Sequence, residues 1–132
     1  MVKNRNVSTV CLIQVEYIQG GKADEEKQIS TDPLPWRYDQ VRGRPSIVMG
    51  DIGAHAHNLV HFISELEVEE VATDVGIIVP RRKINDFSGA LPRFNNGARG
   101  SFLGIQTAAG VENCLWIRVN GIKGSLEWME IE

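Results

Sequence analysis

Asp51 and His55 stand four residues apart in the segment Gly50-Asp51-Ile52-Gly53-Ala54-His55. On a helix that spacing makes the two side chains neighbours. A carboxylate beside an imidazole can orient the ring and raise its basicity, which suits a general base near neutral pH. Gly50 and Gly53 would let a substrate or cofactor approach the backbone. The same two residues also fit a purely structural role, with Asp51 as an N-cap and His55 as a packed, hydrogen-bonded histidine. Upstream, Trp36, Arg37 and Tyr38 are candidates to line a sugar pocket: aromatic faces stack on sugar rings, and a guanidinium binds hydroxyls or carboxylates. A loop pinned to the core by its aromatics is the alternative.

Other chemistries find less support. His55, His57 and His61 are close in sequence, but on a helix His55 and His57 diverge by ~160°, so they cannot converge on one ion. His57 and His61 share a face that lacks a third ligand, and no metal site is expected. No G-x-G-x-x-G and no Walker-type loop is present, so this chain alone is expected to bind no cofactor. Cys11 and Cys114 both fall in strand-like segments and read as reduced, structural thiols.

The elements that must position these residues follow from periodicity. Val7 to Ile18 alternates, with Val7, Thr9, Cys11, Ile13, Val15 and Tyr17 on one face, and Gly20-Gly21 ends it. Lys22 to Ser30 is charged and reads as a solvated loop or short helix. Asp32-Pro33-Leu34-Pro35 and Arg42-Gly43-Arg44-Pro45 are irregular or turn regions. From Ile52 to Leu66 the period is helical: Ile52, Ala56, Leu59, Phe62, Ile63 and Leu66 form one apolar stripe at ~100° per residue, with Asp51 just before the helix. Val71 to Val79, Phe87 to Phe94, Arg99 to Thr107, a segment around Leu115 to Val119, and Ser125 to Met129 read as strands. Asn95-Asn96-Gly97 is a hairpin turn. Pro92 falls inside a strand pattern and cannot donate a ladder hydrogen bond, which predicts an edge or a bulge there. Trp116 and Trp128 read as packing or interface residues.

The expected fold class is α+β: a mostly antiparallel open sheet, traced as a meander, with one main helix packed on a face. The 132 residues make a single domain. A net charge of −3, from 14 Lys+Arg against 17 Asp+Glu, gives no electrostatic pull toward nucleic acid or an anionic membrane. No apolar run approaches the ~20 residues a membrane span needs, and no signal-type stretch follows Met1. A cytoplasmic protein is expected.

Several segments, in order, resemble one family. They are Pro35-Trp36-Arg37-Tyr38-Asp39, Met49-Gly50-Asp51-Ile52-Gly53-Ala54-His55-Ala56 and Arg93-Phe94-Asn95-Asn96-Gly97-Ala98-Arg99-Gly100. Further on come Ala108-Ala109-Gly110-Val111-Glu112-Asn113, Ile117-Arg118-Val119 and Gly121-Ile122-Lys123-Gly124-Ser125-Leu126-Glu127-Trp128. Together they are similar to the C-terminal domain of the glucose-fructose oxidoreductase/inositol dehydrogenase/rhizopine-catabolism (Gfo/Idh/MocA) family, from Val7 onward.

The resemblance implies a dihydrodipicolinate-reductase-like C-terminal domain that carries substrate residues, with NAD or NADP bound by a Rossmann domain that this chain lacks. By the same resemblance His55 is the acid/base at a sugar or polyol hydroxyl, and Asp51 binds substrate or orients the histidine. A homo-oligomer through the sheet face and a Rossmann-domain partner are implied as well. This sequence departs from the family in having no counterpart of its Glu-Lys-Pro segment, whose lysine completes the site. Arg44-Pro45 stands where many relatives have a Gly-rich approach to the Asp/His motif. The chain alone is therefore expected to be inactive. The alternative is a noncatalytic oligomerisation or carbohydrate-binding module.

Overall fold

A computed structural model describes residues 7–23, 35–43 and 45–131. Most of the charged stretch after Lys22, as well as Asp32, Pro33, Leu34 and Arg44, lies outside the described residues. Six strands form one sheet: β1 (Val10–Ile18), β2 (Val68–Gly76), β3 (Phe87–Phe94), β4 (Arg99–Ile105), β5 (Cys114–Gly121) and β6 (Gly124–Ile131). Their spatial order is β2-β3-β4-β1-β5-β6. All neighbours are antiparallel except β1 and β4, which run parallel. The expected meander is thus interrupted. β4 and β5 are consecutive in the chain, but β1 is inserted between them and takes both as partners.

One face of the sheet is closed by helix α1 (Ala54–Ser64). Ile13 and Val15 of β1, Leu115, Ile117 and Val119 of β5, and Phe94 pack against Ala56 and Val60. This is the expected alternation of β-branched residues on a half-buried sheet. Leu59, Ile63 and Leu66 of the predicted stripe border this core. Phe62 does not: it is 80% exposed, and Val60 takes the buried position instead.

Three local expectations are corrected. Cys11 was expected to share a face with Ile13, yet it is exposed while Val10 is buried. A bulge between Val10 and Leu12 in the pairing with β5 accounts for this, because one extra residue reverses the alternation. Asp51 does not cap the helix. The helical path already begins at Ile47, the Ser46 hydroxyl accepts the Met49 N–H at 3.1 Å, and Met49–Gly53 form a π-helical turn that runs directly into α1. Asp51 therefore lies inside the helix. Pro92 lies on an inner strand rather than an edge, paired across to Val71 of β2. On its other side the β3–β4 ladder skips from Ala90↔Phe102 to Arg93↔Arg99. The proline ring there sits over Gly100, where any Cβ would come within 2.8 Å of it. A broken ladder and a facing glycine are what admit a proline at this position.

The hairpin at Asn95-Asn96-Gly97 is formed as its residues require: Gly97 has φ +86°, and the Asn96 side-chain oxygen accepts the Ala98 N–H at 2.9 Å. Cys11 and Cys114 are both free. The sheet face opposite α1 is uncovered among the described residues, carrying Leu12, Leu91, Leu103, Trp116 and Met129 between the ion pairs Arg93–Glu70 and Arg118–Glu127. Among the described residues no helix is long and apolar enough to cross a membrane.

Candidate active site

The insertion of β1 between β4 and β5 builds the site. The connection leaving β4 folds around the end of β1: Gln19 donates its N–H to the Ile105 carbonyl (2.8 Å), Ala108 donates to Gln19 (3.0 Å), and Lys22 donates to Gln106 (2.9 Å). Gly20 is required there, since a Cβ would meet the Ala108 carbonyl oxygen at 2.5 Å. This close approach brings Gln106 and Lys22 together beneath the first turn of the helical segment, where Asp51 sits.

Asp51 Oδ2 accepts two hydrogen bonds, from Lys22 Nζ at 3.3 Å and from Gln106 Nε2 at 3.2 Å. Gln106 is almost wholly buried and its amide also donates to Gln19 Oε1 at 3.0 Å, while Gln19 donates to Asn113 Oδ1 at 2.7 Å. Burial raises the Asp51 carboxyl, but the Gln106 hydrogen bond and the Lys22 charge outweigh it, with Arg37 adding to them, so its pKa is lowered. Lys22 is shifted down as well. Burial of its ammonium exceeds the opposing pull of Asp51, and Arg37 and Arg82 add repulsion. The two partners thus respond differently to one contact, because the cation is the deeper member.

A second layer holds Lys22 from behind. Arg82 donates to the Lys22 carbonyl at 2.7 Å and to Asp86 Oδ2 at 2.6 Å. Asp86, fully buried, also accepts the N–H groups of Ile78 and Val79 at 2.7 and 3.2 Å, so the buried carboxylate is met by three donors and shapes the loop between β2 and β3.

Asp51 and His55 both line one cavity of about 410 Å³, together with Trp36, Arg37, Ser46 and Gly50. Of the three residues expected to contact a sugar, the structure brings Trp36 and Arg37 to this cavity, with the guanidinium 5.1 Å from the centre of the Trp36 ring. Tyr38 does not line it. Its ring lies under the Arg82 guanidinium at 5.5 Å, and burial raises its hydroxyl pKa against the charges of Arg82 and Arg37. All three sit on one 3-10 turn (Trp36–Tyr38) that follows Pro35. The loop after this turn is closed by Asp39, whose carboxylate accepts the Val41 N–H at 2.8 Å and Arg42 Nε at 2.6 Å.

Asp51 and His55 are not hydrogen-bonded to each other among the described residues. Asp51 turns one oxygen toward Lys22 and Gln106, and the exposed His55 ring faces the cavity. His57 lines a separate apolar cavity between α1 and the sheet, and His61 Nδ1 lies 3.4 Å from Glu67. The three histidines therefore face different surroundings. Among the described residues no three His, Cys, Asp or Glu side chains are grouped as a metal site requires. The positive-φ glycines Gly97 and Gly110 follow β3 and β4 and lead into the next strands, β4 and β5, rather than into a helix.

The model of the GFO/IDH/MocA C-terminal domain family matches residues 1–127. The chain belongs to this family. The uncharacterized oxidoreductase YfiI of Bacillus subtilis is 25% identical over 98% of the chain, which spans only 34% of that protein. Among solved structures, an oxidoreductase domain protein from Kribbella flavida is 31% identical with a TM-score of 0.85, over 97% of this chain and 35% of that one. An inositol dehydrogenase homologue from Azotobacter vinelandii, complexed with NAD+, shares the fold at TM-score 0.86 and 23% identity, over 100% of this chain and 36% of that one. The chain thus spans about a third of the length of the GFO/IDH/MocA relatives it matches.

Lys22, Gln19, Gln106 and Arg82 were not visible as site residues in the sequence. Lys22 opens a charged stretch and carries no motif. The one available signal was Gly20-Gly21 at a strand end, which marks a close backbone approach without saying to what.

Proposed function

We propose that this chain is the substrate-side domain of an NAD(P)-dependent oxidoreductase that acts on a sugar or polyol hydroxyl, and that it turns over only with a Rossmann partner. The observation that carries the reading is the shared cavity of Asp51 and His55, walled by Trp36 and Arg37. Asp51, held ionised, accepts a hydrogen bond from a substrate hydroxyl. His55, with its ring toward the cavity, takes the proton of the hydroxyl being oxidised. Trp36 offers an aromatic face to a sugar ring and Arg37 donates to its oxygens. The dinucleotide belongs to the partner domain. The NAD+ complex of the inositol dehydrogenase homologue supports that division, since this chain spans 36% of that protein.

The test is to mix this chain with a separately expressed Rossmann half and a panel of sugars and polyols. Turnover dependent on both halves is expected, with His55→Ala abolishing it. Full activity in His55→Ala would sink the assignment. Saturable, tight binding of NADH or NADPH by this chain alone would overturn the division of labour.

A second reading is favoured by the sheet face left uncovered among the described residues: Leu91 is 65% exposed and Trp116 and Met129 lie on the same side. An apolar sheet face of this kind fits a homo-oligomer.

A further inference from the structure

We infer that Lys22 is a positioning residue for Asp51, holding its carboxylate in place and ionised from behind the cavity, so that His55 is left for the substrate. This rests on the reading of Asp51 and His55 as the chemical pair of the site, and it concerns a residue outside their motif.

Lys22 is fixed by its backbone before its side chain is considered. Its N–H donates to Gln106 at 2.9 Å and its carbonyl accepts from Arg82 at 2.7 Å. Arg82 is itself held by buried Asp86. From that anchor the ammonium reaches Asp51 Oδ2 at 3.3 Å, with its side chain only 15% exposed. A lysine without a task keeps its charged end in water and buries only its stem. Here the charged end is withdrawn from water, at a desolvation cost that one half-open carboxylate does not fully offset. Burial of a cation against a cleft carboxylate is the pattern of a functional site rather than of a stabilising surface pair.

The geometry also assigns the direction of action. Lys22 does not line the cavity, whereas Asp51 does. Lys22 and Gln106 converge on the same oxygen, Oδ2, and Oδ1 accepts no hydrogen bond among the described residues. The carboxylate is thereby pinned through one oxygen with the other free for a hydroxyl. Among the described residues, the charged groups around the pair are Arg37, at the cavity wall, and Arg82, behind Lys22; His55 lies one helical turn away. Arg37 acts on both partners and Arg82 on Lys22, but neither is hydrogen-bonded to Asp51, so the local hold on the carboxylate is that of Lys22 and Gln106.

The experiment follows the side-chain carbon of Asp51 by NMR through an acid titration of the full chain, in the unaltered protein, Lys22→Met and Lys22→Arg. Methionine keeps the unbranched stem and removes the charge. The Asp51 midpoint should rise by about one pH unit in Lys22→Met and return toward its original position in Lys22→Arg, with amide signals away from the site unchanged. An unmoved midpoint in folded Lys22→Met overturns the inference. If Lys22→Met does not fold, the reciprocal measurement decides: the midpoint of isotopically dimethylated Lys22 should fall in Asp51→Asn, and its failure to move is equally fatal. Neither readout uses turnover. A failed reconstitution of activity would count against the oxidoreductase reading, and an unmoved midpoint against Lys22 alone.

Discussion

Lys22 and Asp51 form an unequal pair: the atoms lie 3.3 Å apart, yet the lysine side chain is 15% exposed and the aspartate 40%. The asymmetry means that the cation bears most of the desolvation, while the anion keeps contact with the cavity. It also separates the pH responses of the two. Charged Lys22 costs stability at pH below its lowered folded pKa, and that cost fades as the pH rises through it. Asp51, whose folded pKa is also lowered, likewise gains stability as the pH rises, but in the carboxylate range and through its charged form.

For Asp51 the folded pKa lies below the unfolded one, so its contribution is fully present above the ordinary carboxylate range and is lost as pH falls through the folded value. Asp51→Asn should therefore lower stability toward urea at neutral pH, and the difference from the unaltered protein should shrink in strong acid. Its partial exposure keeps the effect modest. A gap between the two proteins that widens on acidification would contradict the assignment.

Asp86→Ala leaves Arg82 without its carboxylate in a buried setting and removes the acceptor of two backbone N–H groups. A loss of about 3–5 kcal/mol is expected, readable as a lower urea midpoint. Because Arg82 holds the carbonyl of Lys22, the signals of Lys22 and Asp51 should shift along with it.

Two adjacent glycines offer an internal control. A Cβ at Gly20 would press on the Ala108 and Val111 carbonyl oxygens, and backbone cannot step aside as a flexible side chain can. Gly20→Ala should cost about 1–3 kcal/mol. At Gly21 nothing lies within 4 Å, so Gly21→Ala should stay within about 0.5 kcal/mol. Equal thermal shifts in the two variants would mean that the β4–β5 connection does not press on β1.

The open sheet face leads us to expect a dimer or larger assembly. Light scattering at micromolar concentration should give a mass above that of one chain, and Leu91→Lys, which places a charge on that face, should lower it. A monodisperse monomer before any substitution would exclude the assembly.

Much of the sheet was legible because its strands alternate. β3 occupies Phe87–Phe94 as its pattern predicts, and Asn96-Gly97 turns the chain through local chemistry alone. The helix was legible by its period, but its start was not: Ser46 competes with Asp51 for the same capping role, and a π-helical turn has no distinct apolar rhythm. The site was half legible. Asp51 and His55 share a helix, so their spacing reports their proximity. Lys22, Gln106 and Arg82 reach the site from three separate connections, and only tertiary pairing brings them there. Cys11 shows the same limit on a smaller scale, since its facing depends on a bulge defined by a distant strand.

The central place of β1 has a consequence for folding. β1 finds its neighbours only in β4 and β5, far along the sequence from it. These are contacts of long sequence separation, which slow folding because a large loop must close before they form. The hairpins of β2 with β3, β3 with β4, and β5 with β6 join strands close in sequence, whereas the place between β4 and β5 is filled across a long separation. Lys22 lies in the connection that leaves this inserted strand, β1. The cation of Asp51 therefore depends on the long-range pairing of β1 with β4, whereas Asp51 and His55 are held together by one helical segment.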